Sequence, residues 1–294
     1  MIIACIGLGN MGFPIAKNLH EGGFTVRAYN RGLEKRNAIR DVGVAVADSE
    51  EEAVKDADIV ISMLSDDTAV SEVSGKILTV MKRDAIHLSM STIAPATAAK
   101  LAVLHEQHHV HYVAGPVLGR PPAAAAKQLF VLLSGQPKAR EAVKPILPAI
   151  SQRFFEYGDD PSTAHAVKVM VNYMIFVTTE MLSEVMLVGE KTGVKKDAFL
   201  DTLMNTVFGA PVIKIYGNLV AEEKENLNGF ATRLASKDLR LMQETAALHD
   251  MKLPLAEVIQ QNFLAMMEAG KGDQDVTALV THLRNTIVKT GSII

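Results

Sequence analysis

The chain has one cysteine, no tryptophan and only 5% aromatic residues among its 294 positions. A lone Cys5 excludes an internal disulfide framework and any cluster of thiolate metal ligands within one chain, and no metal site is expected. Cys5 lies inside an apolar run, where a buried, unreactive thiol is the expected state. An excess of one charge is missing too: 30 basic side chains stand against 33 acidic ones, and no Lys/Arg-rich block occurs. That balance argues against nucleic acid or an anionic membrane surface as a partner. No apolar run approaches the ~20 residues that span a bilayer, and the first strand begins at Ile2, leaving no room for a leader. A cytoplasmic protein without a membrane segment is the expectation, and the length allows two domains.

What is present is punctuated by glycine from the start. An apolar run from Ile2 breaks into Gly7-Leu8-Gly9-Asn10-Met11-Gly12 and then opens an amphipathic helix carrying Ile15, Ala16 and Leu19. In this G-x-G-x-x-G pattern Gly7 makes the tight turn, Gly9 lets the backbone approach a pyrophosphate, and Gly12 lets the helix pack close to the strand. The helix N-terminus offers free N–H groups and partial positive charge to the phosphates. Pro14 fits there, because the first helical N–H groups have no intrahelical acceptor.

Strands and helices then alternate. Thr25 to Tyr29, Val44 to Val46, Ile59 to Leu64, Ala85 to Leu88, His111 to Val113, Phe130 to Ser134 and Phe154 to Tyr157 read as strands. Helices are expected from Leu33 and over Ser49–Asp56, Ala69–Met81, Pro95–Gln107 and Pro137–Ile150, with Pro121–Ala126 a loop entering a helix. This alternation predicts an α/β Rossmann-type, doubly wound parallel sheet over residues 1–161. From Ser162 no strand is evident. A periodic stretch over Ala164–Thr192 predicts one helix of about thirty residues, followed by helices near Lys196–Met204, Val212–Leu219, Phe230–His249, Leu253–Ala269 and Val276–Lys289. Residues 162–294 are therefore expected to form an all-α C-terminal domain joined to the first by the long helix, a plausible spine for docking the other domain or a second subunit.

The position closing the second strand bears on cofactor choice, because a carboxylate there bonds a ribose 2′-hydroxyl and a basic residue accommodates a 2′-phosphate. Asn30 and Arg31 stand there, with Lys35 and Arg36 a turn later. This favours NADP(H) over NAD. In the long helix Lys168 and Asn172 are four apart and share one face with apolar neighbours Ala164, Val167, Val171 and Ile175. Desolvation moves a lysine toward the range useful for proton transfer, which carbonyl reduction requires at oxygen while hydride arrives at carbon.

With these motifs in place the chain resembles the β-hydroxyacid dehydrogenase family, which includes 3-hydroxyisobutyrate dehydrogenases and glyoxylate/succinic semialdehyde reductases and is related to 6-phosphogluconate dehydrogenases. The carriers are Gly7 to Gly12; Met63-Leu64-Ser65; Ser91-Thr92-Ile93-Ala94-Pro95; Gly115-Pro116-Val117; Lys168 with Asn172; and Phe230 with Leu234, Lys237, Asp238 and Leu239. The resemblance implies a homodimer or homotetramer formed through the helical domain and an active site in the interdomain cleft. It implies Lys168 as general acid/base, with Asn172 holding substrate. Met63, Leu64, Thr92, Phe230 and Lys237 would lie at the cofactor, and Ser91, Leu118, Gly119, Arg120 and Asp238 on the substrate side. Without the resemblance Ser91-Thr92 reads as a helix N-cap and Lys237-Asp238 as a solvated pair.

The departures from the family pattern concern substrate. Where the family writes Asp-Ala-Pro-Val-Ser-Gly-Gly, this chain has Ala114-Gly115-Pro116-Val117-Leu118-Gly119-Arg120, so a hydroxyl is lost and a guanidinium gained. Arg120 could rescue carboxylate binding, serve a phosphate or larger acid, or point to solvent. Two other functions stay open. Imine reduction shares the architecture, although Lys168 argues against it, and a non-catalytic NADP-binding chromatin reader or sensor would require catalysis to have been lost.

Overall fold

A computed structural model describes residues 1–223 and 229–287. The chain divides into two compact units, Met1–Val169 and the residues from Met170 onward. In the first, strands β1 (Ile2–Ile6), β2 (Thr25–Tyr29), β3 (Ala45–Val46), β4 (Ile59–Ser62), β5 (Ile86–Ser89) and β6 (His111–Ala114) alternate with helices α1 (Gly12–Glu21), α2 (Leu33–Asp41), α3 (Glu50–Val54), α4 (Asp67–Ile77) and α5 (Pro95–Gln107). These strands are all parallel, in the order β3-β2-β1-β4-β5-β6. Successive connections wind to opposite sides of β1, so a crevice opens beyond the carboxyl ends of β1 and β4, where such sheets bind ligands. Alternate residues of β1 enter different cores: Ile3 and Cys5 pack in one cluster, Ala4 and Ile6 in another. The strand is uniformly apolar because helices cover both faces of the sheet.

The rest of this unit departs from a purely parallel sheet. β7 (Val117–Leu118) and β6 both pair antiparallel with β8 (Leu129–Gly135), and β9 (Ser151–Glu156) lies parallel to β8. The segment between β7 and β8 is too short for a parallel crossover, so the chain doubles back. Pro121–Ala126, expected as a loop entering a helix, is mostly the helix α6 itself (Pro121–Ala125), whose two prolines occupy first-turn positions that need no N–H donor. The helix expected over Pro137–Ile150 is α7 (Pro137–Val143) followed by a 3-10 turn over Lys144–Ala149, with Pro148 inside it.

The long helix is α8 (Pro161–Lys191), and the division between units falls within it. By length and composition it could cross a membrane, contrary to the sequence expectation; 44% of its most apolar window is buried within the fold. Ala164 joins a cluster with Ala114 and Leu132 of the first unit, and Phe176, Leu182 and Met186 join the core of the second, so its hydrophobicity serves packing. The second unit continues with α9 (Lys196–Met204), α10 (Pro211–Glu222), α11 (Thr232–Ala247), α12 (Pro254–Glu268), a 3-10 turn over Val276–Ala278, and α13 (Leu279–Ile287). Among the described residues it has no strand, only an isolated bridge between Ala231 and Asp275. The final two positions of the helix expected over Val276–Lys289 lie outside the described residues.

Candidate active site

The glycine turn is shaped by backbone atoms. Gly7 has φ +90°, and a Cβ there would lie 2.3 Å from the Met63 carbonyl oxygen. A Cβ on Gly12 would lie 1.9 Å from the Gly7 carbonyl oxygen, so α1 can start this close to β1 only without one. Gly9 is exposed, and a Cβ there would meet nothing within 4 Å, which leaves an open backbone surface at the helix N-terminus. Leu8 is buried, whereas Asn10 is exposed and Met11 half-buried at the mouth of the turn. This geometry fits a dinucleotide pyrophosphate.

Asn30 is spent on the turn itself. Its Oδ1 accepts the Leu8 N–H at 2.9 Å, and its amide nitrogen donates to the Gly32 carbonyl at 3.3 Å. It therefore ties the end of β2 to the glycine loop, a role its position beside Arg31 did not disclose. Arg31 and Lys35 are exposed, while Arg36 lies over the Tyr29 ring at 5.5 Å and 3.6 Å from Asp48.

Two further loops meet beyond β4 and β5. The Ser91 side chain is fully buried, and its hydroxyl accepts the Leu64 N–H at 2.8 Å. Ser91 is thus no helix cap: the cap position of α5 is Ala94, whose N–H donates to Asp67 Oδ1 at 2.9 Å. Met63, Leu64 and Thr92 are half-buried around this junction. Leu118 closes β7 and packs with Phe155, Tyr157 and Val167 on the Ala114–Leu132–Ala164 cluster. Gly119 has φ +140°, and Arg120 is half-buried and precedes α6.

Lys168 projects from the first turns of α8, which the sheet fixes: the Ser134 hydroxyl on β8 donates to the Pro161 carbonyl and accepts the Ala164 N–H, both at 3.1 Å. Lys168 is only 8% exposed, as the apolar pattern around it predicts.

In the second unit two buried carboxylates organise the other candidates. Asp238 accepts the Asn172 amide at 2.6 Å on one oxygen and pairs with the Lys237 ammonium at 2.8 Å on the other. Asp275 accepts the Phe230 N–H at 2.7 Å while its second oxygen accepts from the Thr277 N–H and hydroxyl. The Phe230 ring packs on Phe176 at 5.5 Å. Lys237–Asp238 is consequently a largely buried pair, not the solvated one its adjacency suggests on its own. No group of three or more metal-ligating side chains occurs among the described residues.

Comparison with known proteins identifies the family. Residues 2–158 match the NAD binding domain of 6-phosphogluconate dehydrogenase, and residues 162–283 match a model described as NAD-binding of NADP-dependent 3-hydroxyisobutyrate dehydrogenase. The uncharacterized oxidoreductase YfjR of Bacillus subtilis is 40% identical over 95% of this chain and 99% of its own length. Glyoxylate/succinic semialdehyde reductase 1 of Arabidopsis thaliana is 27% identical over 95% of this chain and 97% of its own. Among solved structures, Mycobacterium tuberculosis 3-hydroxyisobutyrate dehydrogenase with L-serine superposes with a TM-score of 0.87 at 27% identity, covering 96% of this chain and 99% of that one. An imine reductase from Pseudomonas sp. shares the fold at 18% identity, with a TM-score of 0.66. With a glycine turn built for a dinucleotide and family models that match both halves, the chain belongs to the β-hydroxyacid dehydrogenase family of nicotinamide-dependent oxidoreductases.

Proposed function

We propose that the protein is an NADP(H)-dependent oxidoreductase that interconverts a small aldehyde or keto acid and the corresponding hydroxy compound, with Lys168 as general acid/base. The observation that carries the chemistry is Lys168 itself, a buried side-chain amine on a helix pinned to the sheet by Ser134. Bound reduced nicotinamide would supply hydride to the carbonyl carbon. Lys168 would deliver a proton to the carbonyl oxygen, or remove it in the reverse direction, and its burial keeps competing water away. Asn172, held by Asp238, would orient the substrate oxygen.

Preference for NADP(H) rests on Arg31 and Lys35, exposed beyond β2 where no carboxylate occupies the ribose position. Arg120, set beside Leu118 where the family cradles a small carboxylate, favours acids bulkier than glyoxylate. A second copy of the chain would cover the exposed apolar face of α8 formed by Met170, Met174, Met181, Val185 and Val188, giving a homodimer or homotetramer. A cytoplasmic location fits such an enzyme.

The test is NADPH oxidation across a panel of aldehydes, keto acids and imines, with NADPH and NADH titrated into wild type and Arg31→Ala. The proposal expects turnover of a carbonyl acid and at least about a tenfold preference for NADPH that Arg31→Ala removes, the scale of one charge-assisted phosphate contact. Turnover of imines alone, or equal affinity for both cofactors in wild type, would overturn the respective half.

A further inference from the structure

The first unit contains a polar seam that none of this chemistry uses. On one face of the sheet, the register pairs Val60 with His87, Ser62 with Ser89, and His87 with Tyr112, and α5 brings His105 onto the same face. The surroundings are apolar, with Val70, Ile93, Ala98 and Leu101 packed about Tyr112. Within this layer Ser62, His87 and His105 are each completely buried.

Their hydrogen bonds have a single direction when both rings are neutral, as burial requires. His105 Nδ1 lies 2.6 Å from the Leu101 carbonyl, which can only accept, so Nδ1 carries the hydrogen and Nε2 the lone pair. His87 Nδ1, 2.8 Å from that lone pair, must donate. His87 Nε2 must then accept from the Ser62 hydroxyl at 2.8 Å. The chain therefore runs from Ser62 through His87 and His105 to a backbone carbonyl. A backbone carbonyl cannot pass a proton on, so the seam is not a relay. What it does is lock the last residue of β4.

Ser62 is the residue on which the cofactor loops converge. Its carbonyl accepts the Met90 N–H at 2.9 Å and faces the Ser91 hydroxyl at 3.5 Å. That hydroxyl in turn holds the Leu64 N–H. Met63 follows Ser62 directly, its N–H bonded to the Ile6 carbonyl, and its own carbonyl is the atom that excludes a side chain from Gly7. A shift at Ser62 would be felt by the glycine turn and by the 63–64 loop together.

We propose that Ser62, His87 and His105 are positioning residues for the nicotinamide dinucleotide: their one-way chain of hydrogen bonds sets the end of β4, and through it Met63, Leu64 and Ser91, in the arrangement that accepts the cofactor. The proposal rests on the dinucleotide reading of the glycine turn. Because the chain has no tryptophan, the fluorescence of NADPH reports binding without interference from indole emission. Titrations with wild type, Ser62→Ala, His87→Leu and His87→Gln, each with its Tm measured, form the test.

Ser62→Ala and His87→Leu remove a donor or both ring nitrogens, and each should raise the NADPH Kd about tenfold. The KM for the carbonyl substrate should rise less than the NADPH Kd, since of the substrate-side candidates only Ser91 is tied to Ser62. His87→Gln can accept from Ser62 and donate to His105, and should return most of the affinity. If His87→Leu fails to fold, Ser62→Ala, which removes one oxygen, decides. Folded variants with wild-type Kd would overturn the proposal, as would losses that follow Tm alone and are not repaired by His87→Gln. Wild type that binds no dinucleotide would instead overturn the reading on which the proposal rests.

Discussion

In the first unit the candidate site is shaped by main chain, with Gly7 and Gly12 pressed against carbonyl oxygens, whereas in the second Asn172, Lys237 and Phe230 are held by the carboxylates Asp238 and Asp275. The buried ionisable groups differ in the same sense. The first unit buries His87 and His105 as neutral bases, and the second buries Glu180, whose carboxyl is pushed up to about 7 by burial, with Glu184 adding to the shift and the Asn262 amide opposing it. Gly7 and Gly12 leave no room for an added atom, whereas Asn172, Lys237 and Phe230 depend on the carboxylate oxygens that hold them.

The largest expected effect sharpens the first half of that contrast. Gly12→Ala places a methyl 1.9 Å from the Gly7 carbonyl and should cost about 3 kcal/mol of stability, at the upper end for overpacking, with dinucleotide affinity falling more than about a hundredfold. Gly9→Ala meets no protein atom, so its Tm should match wild type, while NADPH binding should weaken because the methyl would crowd the pyrophosphate that the turn is proposed to hold. Denaturation and NADPH titration of both variants check this; equal effects on Tm would break the distinction. In the second unit, Asp238→Ala should cost about 3 kcal/mol by removing the oxygens bonded by the Lys237 ammonium and the Asn172 amide, and Asp238→Asn should restore only the bond to Asn172. Urea denaturation of the two variants gives the comparison.

Acid acts with opposite sign on the His87–His105 seam and on the Glu180 carboxyl. Burial, reinforced by repulsion from His105, holds His87 well below its ordinary 6.5, and burial, against the raising bond to the Leu101 carbonyl and with repulsion from His108, lowers His105 to about 4. The unfolded chain therefore takes up protons first, and the first unit loses stability as pH falls from 6.5 toward 4, by about 1.4 kcal/mol per pH unit for each histidine. Glu180 is raised above its ordinary 4.5, so the folded state holds the extra proton between 4.5 and 7 and the α8 region around it gains stability as pH falls through that window, opposed elsewhere in the second unit by His282, which burial and then Lys271 hold below its ordinary 6.5. Hydrogen exchange, corrected for its intrinsic pH dependence, should show β4, β5 and α5 losing protection between pH 6.5 and 4.5 while α8 around Glu180 gains it. Changes of one sign in both regions would contradict the assignment.

The same contrast explains what could be read from sequence. Gly7, Gly9 and Gly12 announce themselves because only glycine fits, and the apolar strands β1 and β4 are legible because helices cover both of their faces. Lys168 was legible from the apolar neighbours that bury it. The seam was not: His87 and His105 are 18 residues apart on a strand and a helix, and no periodicity relates them. The signal that could have exposed it is the alternation of Ser62, His87 and Ser89 with apolar residues in strands otherwise fit for burial. Ser91 reads as a cap until the Leu64 N–H is seen to claim its hydroxyl, and the antiparallel β7–β8 pair follows from a connection too short to cross over, which composition does not report.

The central claim is that Lys168 moves the proton. Steady-state kinetics of Lys168→Ala on the best carbonyl substrate, paired with NADPH titration, tests it most directly. The account predicts a kcat lowered by ~10² to 10⁴-fold, the scale of a lost general acid, with NADPH Kd unchanged. A variant that keeps more than about a tenth of wild-type kcat would contradict it, because no group acting as the general acid can be removed so cheaply.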